Sequence, residues 1–159
     1  MDAVLGASVT DLEMLYRRSF PRFVRVAIGI LHDEDQAADA VQEAFATAVR
    51  RRHRFRGDGP LEAWVWRIVL NSARHAAVRD PQQDLLKGWS DEPPAAVAEV
   101  RAAVARLPER QRLALFLRYY ADLDYDAIAT ALGVSVGTVG ATLNAARAKL
   151  RGLLEEVPS

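Results

Sequence analysis

The stretch Leu123–Leu150 constrains this chain more than any other. Tyr125, Ile128, Ala129 and Leu132 recur at the spacing of one buried helical stripe. Gly133 follows at once, where a left-handed residue ends a helix without a Cβ penalty. Ser135 then stands where a side-chain oxygen caps a new helix, and Val139, Leu143, Ala146 and Leu150 give that helix its buried face. The spacing predicts helix, glycine turn, helix, with the second helix projecting its opposite face outward. That is the layout by which a helix-turn-helix enters the DNA major groove. The outward face is unusual: it carries Gly137, Gly140, Ala141, Thr142, Asn144 and Ala145, with no cation before Arg147.

The rest of the chain also has helical period, and no segment shows convincing strand alternation. Thr10-x-x-Glu13 reads as a capping box opening a helix over Leu12–Phe20. Pro21 is expected to kink that helix or start a new one, and Phe23–Leu31 resumes with Phe23, Val26, Ala27 and Ile30 on one face. Asp33 or Asp35 can cap the next helix, which runs to about Arg51 and buries Ala37, Ala40, Val41, Ala44, Phe45 and Ala48. Phe55–Pro60 is a loop by its glycines and proline; Leu61–Val78 is a helix with Trp64, Val65, Ile68, Val69 and Ser72 toward its neighbours.

Composition then changes: Asp80–Ala96 holds three prolines, a glycine and several polar residues, with Leu85, Leu86 and Trp89 among them. Helices are expected again over Val97–Ala105, Glu109–Tyr120, Tyr125–Leu132 and Val136–Leu154. The expected fold is all-α: two small helical domains, 8–80 and 97–156, joined by a linker over 81–96, the second domain being the helix-turn-helix.

Composition narrows the function classes. The chain has 159 residues and no cysteine, which excludes disulfides and thiolate metal sites within it. No apolar run approaches the roughly 20 residues of a membrane span, and the first residues lack the basic start and apolar core of a signal peptide. A cytoplasmic protein without membrane insertion is expected. Net charge is zero, 21 basic against 21 acidic residues, which weighs mildly against tight autonomous DNA binding.

Charge distribution says more. Arg50–Arg56 is the densest positive segment and leads through the glycine loop into a helix bearing Trp64, Trp66, Arg67, Asn71, Arg74 and His75. Arginines interleaved with aromatics suit single-stranded nucleic acid, cations following the backbone and rings receiving unstacked bases. The same run also fits a solvated basic helix end beside a tryptophan-rich core. Asp39, Gln42 and Glu43 share a polar helix face beside Phe45, fit either for a basic partner helix or for plain solvation.

No catalytic constellation is convincing. His32, His53 and His75 are scattered, and no metalloprotease, P-loop, nucleophile-elbow or dinucleotide motif occurs. Asp122, Asp124 and Asp126 lack the glycine and terminal glutamate of a calcium loop and read as helix capping. No metal and no cofactor are expected.

In this order the motifs resemble the extracytoplasmic-function (ECF) sigma factors, two-domain initiation subunits of bacterial RNA polymerase. Asp39-Ala-Val-Gln42-Glu43-Ala-Phe45 is similar to the family's D-x-V-Q-E-x-F helix, which docks on a coiled coil of the polymerase. Arg54-Phe55-Arg56-Gly57, then Trp64-Val-Trp66-Arg67-Ile68 and Asn71, resembles the segment that melts the minus-ten element and captures a flipped base. Leu107–Arg112 with Leu117-Arg118-Tyr119-Tyr120 looks like the opening of the second domain, and Tyr125–Val139 like its helix-turn-helix for the minus-thirty-five element.

The resemblance implies polymerase contacts at Asp39, Gln42, Glu43 and Phe45, and minus-ten contacts at Arg54, Arg56, Gly57, Trp64, Arg67, Asn71 and Arg74. For the helix-turn-helix the candidate contacts are Ser135, Gly137, Thr138, Thr142, Asn144 and Arg147. It implies a non-enzymatic initiation factor whose partners are core RNA polymerase, promoter DNA and, commonly in the family, an anti-sigma factor.

One departure stands out. Where the family usually continues lysine, serine, arginine, leucine and a further arginine, this chain has Gly140, Ala141, Thr142, Leu143 and Ala145. Three cations are replaced while the packing residue Leu143 stays. Each lost phosphate contact flattens the salt dependence by about one log–log unit. The second reading is therefore a sigma-derived regulator whose C-terminal domain is a protein-interaction module with weak or no DNA binding.

Overall fold

A computed structural model describes residues 6–79 and 94–156. Its helices are α1 (Val9–Leu31), α2 (Glu34–Arg50), α3 (Leu61–Arg79), α4 (Ala95–Ala105), α5 (Glu109–Tyr119), α6 (Tyr125–Leu132) and α7 (Val136–Glu155). A single 3-10 turn covers Arg52–Arg54. The described residues contain no strand, and the all-α expectation holds. Most of the expected linker lies outside the described residues, but its last two residues, 95 and 96, already belong to α4.

Two local expectations are sharpened. α1 is one helix through Pro21, so the proline does not start a new one. Proline removes the N–H that would reach Arg17, and both residues are exposed, so water can take up the freed carbonyl. Meanwhile the buried residues Leu12, Leu15, Phe23 and Val26, on both sides of the proline, hold the helix to a common core. The start of α1 is capped by Ser8, whose Oγ accepts from the Asp11 N–H at 3.0 Å, and Thr10 falls inside the first turn. His32 then ends α1 in the left-handed region (φ 56°), and Asp33 caps α2, its Oδ1 accepting from the Gln36 N–H at 2.9 Å.

α1, α2 and α3 form the first domain around an aromatic centre. Trp66 is fully buried, its ring centroid 4.2 Å from that of Phe23. Phe45 sits edge-on to Tyr16 (5.0 Å) and Phe23 (5.3 Å). Such pairs contribute roughly 0.5–1.5 kcal/mol beyond the area they bury. Ser72 Oγ donates to the Ala40 carbonyl at 2.9 Å, tying α3 to α2.

α4–α7 form the second domain. α6 and α7 turn by 96° at the break between them, within the range of a helix-turn-helix. Gly133 caps α6 at φ 69°, and Ser135 Oγ accepts from the Thr138 N–H at 3.1 Å to begin α7. Val139, Leu143, Ala146 and Leu153 are buried; the expected Leu150 is only half-buried. Asp124 caps α6, its Oδ1 accepting from the Ala127 N–H at 2.8 Å, which gives one of the three aspartates its role. No group of residues able to hold a metal occurs among the described residues, and no single helix there is long and apolar enough to cross a membrane.

The two domains pack on each other, α6 against α3 and α5 against α1, and their apolar residues form one continuous core. At Gly29 of α1 the approach is so close that a Cβ would lie 2.1 Å from Cε2 of Phe116 on α5.

Candidate nucleic-acid interface

The α3 face follows from helical period. Trp64, Arg67, Asn71 and Arg74 succeed each other at three or four residues and share one side of the helix. Val65, Trp66, Val69, Leu70 and Ala73 on the other side enter the core. Trp66 is thus corrected from a member of the basic–aromatic surface to a core residue. Trp64 is half-buried, 5.7 Å by ring centroids from Phe55. Arg54, Arg56 and Gly57 are exposed on the loop that Phe55 anchors, and Gly57 turns that loop at φ 78°. The structure therefore gathers loop cations, two rings and the exposed α3 side chains into one tract.

The second domain shares that tract. A Cβ at Gly133 would lie 3.6 Å from Arg67 Nη2, and Arg74 Nε donates to Glu109 Oε1 at 2.9 Å. Both arginines remain partly open to solvent.

On α2, Asp39, Gln42 and Glu43 are exposed together, one turn apart. Phe45 is 6 % exposed and points into the aromatic centre. From there it fixes the helix behind the polar face.

On α7 the outward face is Gly137, Ala141 and Asn144, flanked by exposed Ala145. Ser135 is exposed and committed to capping, and Thr138 is half-buried with its Oγ1 2.8 Å from Ser135 Oγ. Thr142 is half-buried beside the packing face. Arg147 Nε donates to Tyr119 Oη at 3.0 Å and its guanidinium stands 5.8 Å from that ring's centroid. Hydrogen bonds to Tyr119 and Tyr125 raise its pKa above the ordinary arginine value. This cation is held beside Tyr119, the last residue of α5, and stays open to solvent. Arg151 is exposed in line with Gly137 and Asn144 and went unnoticed in the sequence, although counting seven residues on from Asn144 finds it.

Beside Arg147 lies an apolar cavity of about 340 Å3, walled by Val104, Phe116, Tyr120 and Leu150 and reaching Gly29 of the first domain. Arg112 lines it; burial pulls its guanidinium below the usual value, with Glu109 opposing.

Comparison with known proteins agrees with this architecture. Residues 15–81 match the family model described as Sigma-70 region 2, and residues 98–150 match Sigma-70, region 4. The chain is 32% identical over 148 residues to the RNA polymerase sigma-H factor of Pseudomonas aeruginosa, covering 79% of this chain and 77% of that one. It is 31% identical over 144 residues to the ECF RNA polymerase sigma factor EcfG of Rhodopseudomonas palustris, covering 84% and 80%. In fold it is similar to the sigma factor RpoE solved in complex with the anti-sigma factor NepR from Bartonella quintana. There the TM-score is 0.71 at 23% identity, covering 94% of this chain and 100% of that one. The chain belongs to the ECF sigma factors of RNA polymerase.

Proposed function

We propose that this protein binds core RNA polymerase and directs initiation at specific promoters, melting the minus-ten element with its first domain. The observation that carries the reading is the tract of Arg54, Arg56, Trp64, Arg67 and Asn71, where exposed cations flank a half-buried ring on one helix and the loop before it. Arginine holds the strand backbone while an unstacked base meets an aromatic face. The exposed face of Asp39, Gln42 and Glu43 suits a basic polymerase helix. The protein acts in the cytoplasm and without catalysis of its own, the polymerase supplying the chemistry.

The second domain reads the minus-thirty-five element weakly. Its outward face holds Gly137, Ala141 and Asn144, with exposed Arg151 at one end and exposed Lys149 on the Ala145 flank, both in the C-terminal half of the helix. Arg67 and Arg74 meet the second domain in this arrangement, so melting requires the domains to part. An anti-sigma factor is proposed as the partner that holds them together, in line with the partner named for the solved relative.

Pull-down with core polymerase followed by run-off transcription tests the reading. Polymerase binding with promoter-dependent transcripts is expected, and absence of polymerase binding overturns it. A gel shift at low salt with the intact chain and its polymerase, comparing promoters with and without a minus-thirty-five element, separates weak DNA reading from none.

A further inference from the structure

α1 carries a row of cations to which no role has been given. Arg18, Arg22 and Arg25 follow one another at four and three residues, so they share a face and span about 10 Å along the axis. All three are exposed. Arg17, on the neighbouring flank, is paired with Glu13 at 2.7 Å, whereas none of these three is paired with a carboxylate among the described residues. Beyond Glu13 the helix has no acidic residue to offset them.

The row starts at a groove. Arg18 lines a groove of about 400 Å3 between α1 and the loop before α3, with Met14, Leu15, Phe55 and Leu61 as apolar walls. Two carboxylates, Asp11 and Glu62, also line it, and Glu62 Oε1 is shielded from solvent without a hydrogen-bond donor. Carboxylates repel phosphate, so the groove itself does not suit a strand backbone; its apolar walls and acceptor oxygens suit a base. Phosphates belong on the cations outside it. The Ala7 N–H donates to the Arg52 carbonyl at 2.9 Å, which holds the start of α1 against the basic turn. The loop cations, the groove and the α1 row thus lie side by side on one domain.

We infer that α1 is a track for the backbone of single-stranded DNA: a base enters the groove beside Phe55, and the phosphates that follow it are held by Arg18, Arg22 and Arg25. The inference rests on the promoter-melting reading and extends it from the α3 face and its loop to α1. A row of three cations at this spacing contacts a strand electrostatically, without reading its sequence.

The test uses the intact chain and a fluorescently labelled oligodeoxythymidylate, with affinity measured by anisotropy against salt. Arg22→Ala with Arg25→Ala removes two contacts. The log–log salt slope is expected to fall by about 1.4, the increment for two phosphates of a single strand. Arg22→Lys with Arg25→Lys is expected to keep the wild-type slope, because charge carries the contact. Both pairs are exposed and mid-helix, so the fold survives; circular dichroism checks this.

An unchanged slope in the alanine pair overturns the inference. If Arg54→Ala with Arg56→Ala still lowers the slope, the melting reading stands without the track. An unchanged slope with weakened association to core polymerase overturns it in favour of a protein contact. A wild-type chain that does not bind the oligonucleotide even at low salt also overturns it, while run-off transcription judges the melting reading separately.

Discussion

Arg74 Nε and Glu109 Oε1 lie 2.9 Å apart, joining α3 of the first domain to the first turn of α5 in the second. The pair is partly exposed, 37% and 49% by side chain. At that exposure solvent screens it, and its contribution is about 0.2–1 kcal/mol. It therefore acts as a weak latch on an interface held mainly by packing. A double-mutant cycle on Arg74→Ala and Glu109→Ala, followed by denaturant unfolding, is expected to give a coupling energy within about 1 kcal/mol. A coupling of several kcal/mol contradicts a weak, solvent-screened latch.

Gly29 sets how closely the domains approach. A methyl group there meets the Phe116 ring at 2.1 Å, so Gly29→Ala must move the ring or part α1 from α5. Over-packing of this kind destabilises by about 1–3 kcal/mol. The expected result is a lower melting temperature and, by small-angle scattering, a more extended particle. Adding Phe116→Leu is expected to recover part of the loss, because the clash is with that ring. A Gly29→Ala protein with unchanged stability and dimensions contradicts the close packing.

Phe45 and Asp39 lie on the same helix and should behave oppositely. Phe45→Ala empties the aromatic centre between Tyr16 and Phe23 and is expected to destabilise by about 3–5 kcal/mol. Asp39→Ala, on the exposed face, is expected to change stability by less than about 0.5 kcal/mol while weakening association with core polymerase. Chemical denaturation beside polymerase binding separates the two. Equal loss of fold in both variants contradicts the assignment of faces.

Gly140 is a helix-interior glycine with room for a side chain: an added Cβ meets Tyr125 Cε2 at 3.8 Å, an ordinary contact. Gly140→Ala is expected to stabilise the protein by up to about 1 kcal/mol through helix propensity. Thermal unfolding reads this directly, and a destabilised variant shows that the Tyr125 contact is tighter than its distance implies.

Much of this protein was legible as periodicity. The six residues expected to bury on α2 are the six that do, because one helix packed on one side has a single solution to its apolar stripe. Gly133 and Ser135 were legible because a left-handed cap and a side-chain N-cap are local chemistry, settled within four residues. The candidate tract on α3 was legible as residue types but not as a surface. Trp64 and Trp66 look alike in the sequence, yet packing against Phe23 takes Trp66 into the core. Arg147 reads in the sequence as a free cation, and Tyr119, twenty-eight residues away, holds its guanidinium at the surface.

By itself the sequence determined the helices, their caps and the identity of the helix-turn-helix, since these depend on neighbours within a turn or two. Only the tertiary structure decided that Pro21 lies inside one helix, that Phe45 sits among Tyr16 and Phe23 in the core, and that the two domains meet through Gly29, Phe116, Arg74 and Glu109. Those outcomes depend on close packing between segments far apart in the chain, where a fraction of an ångström separates contact from clash and no local periodicity reports it.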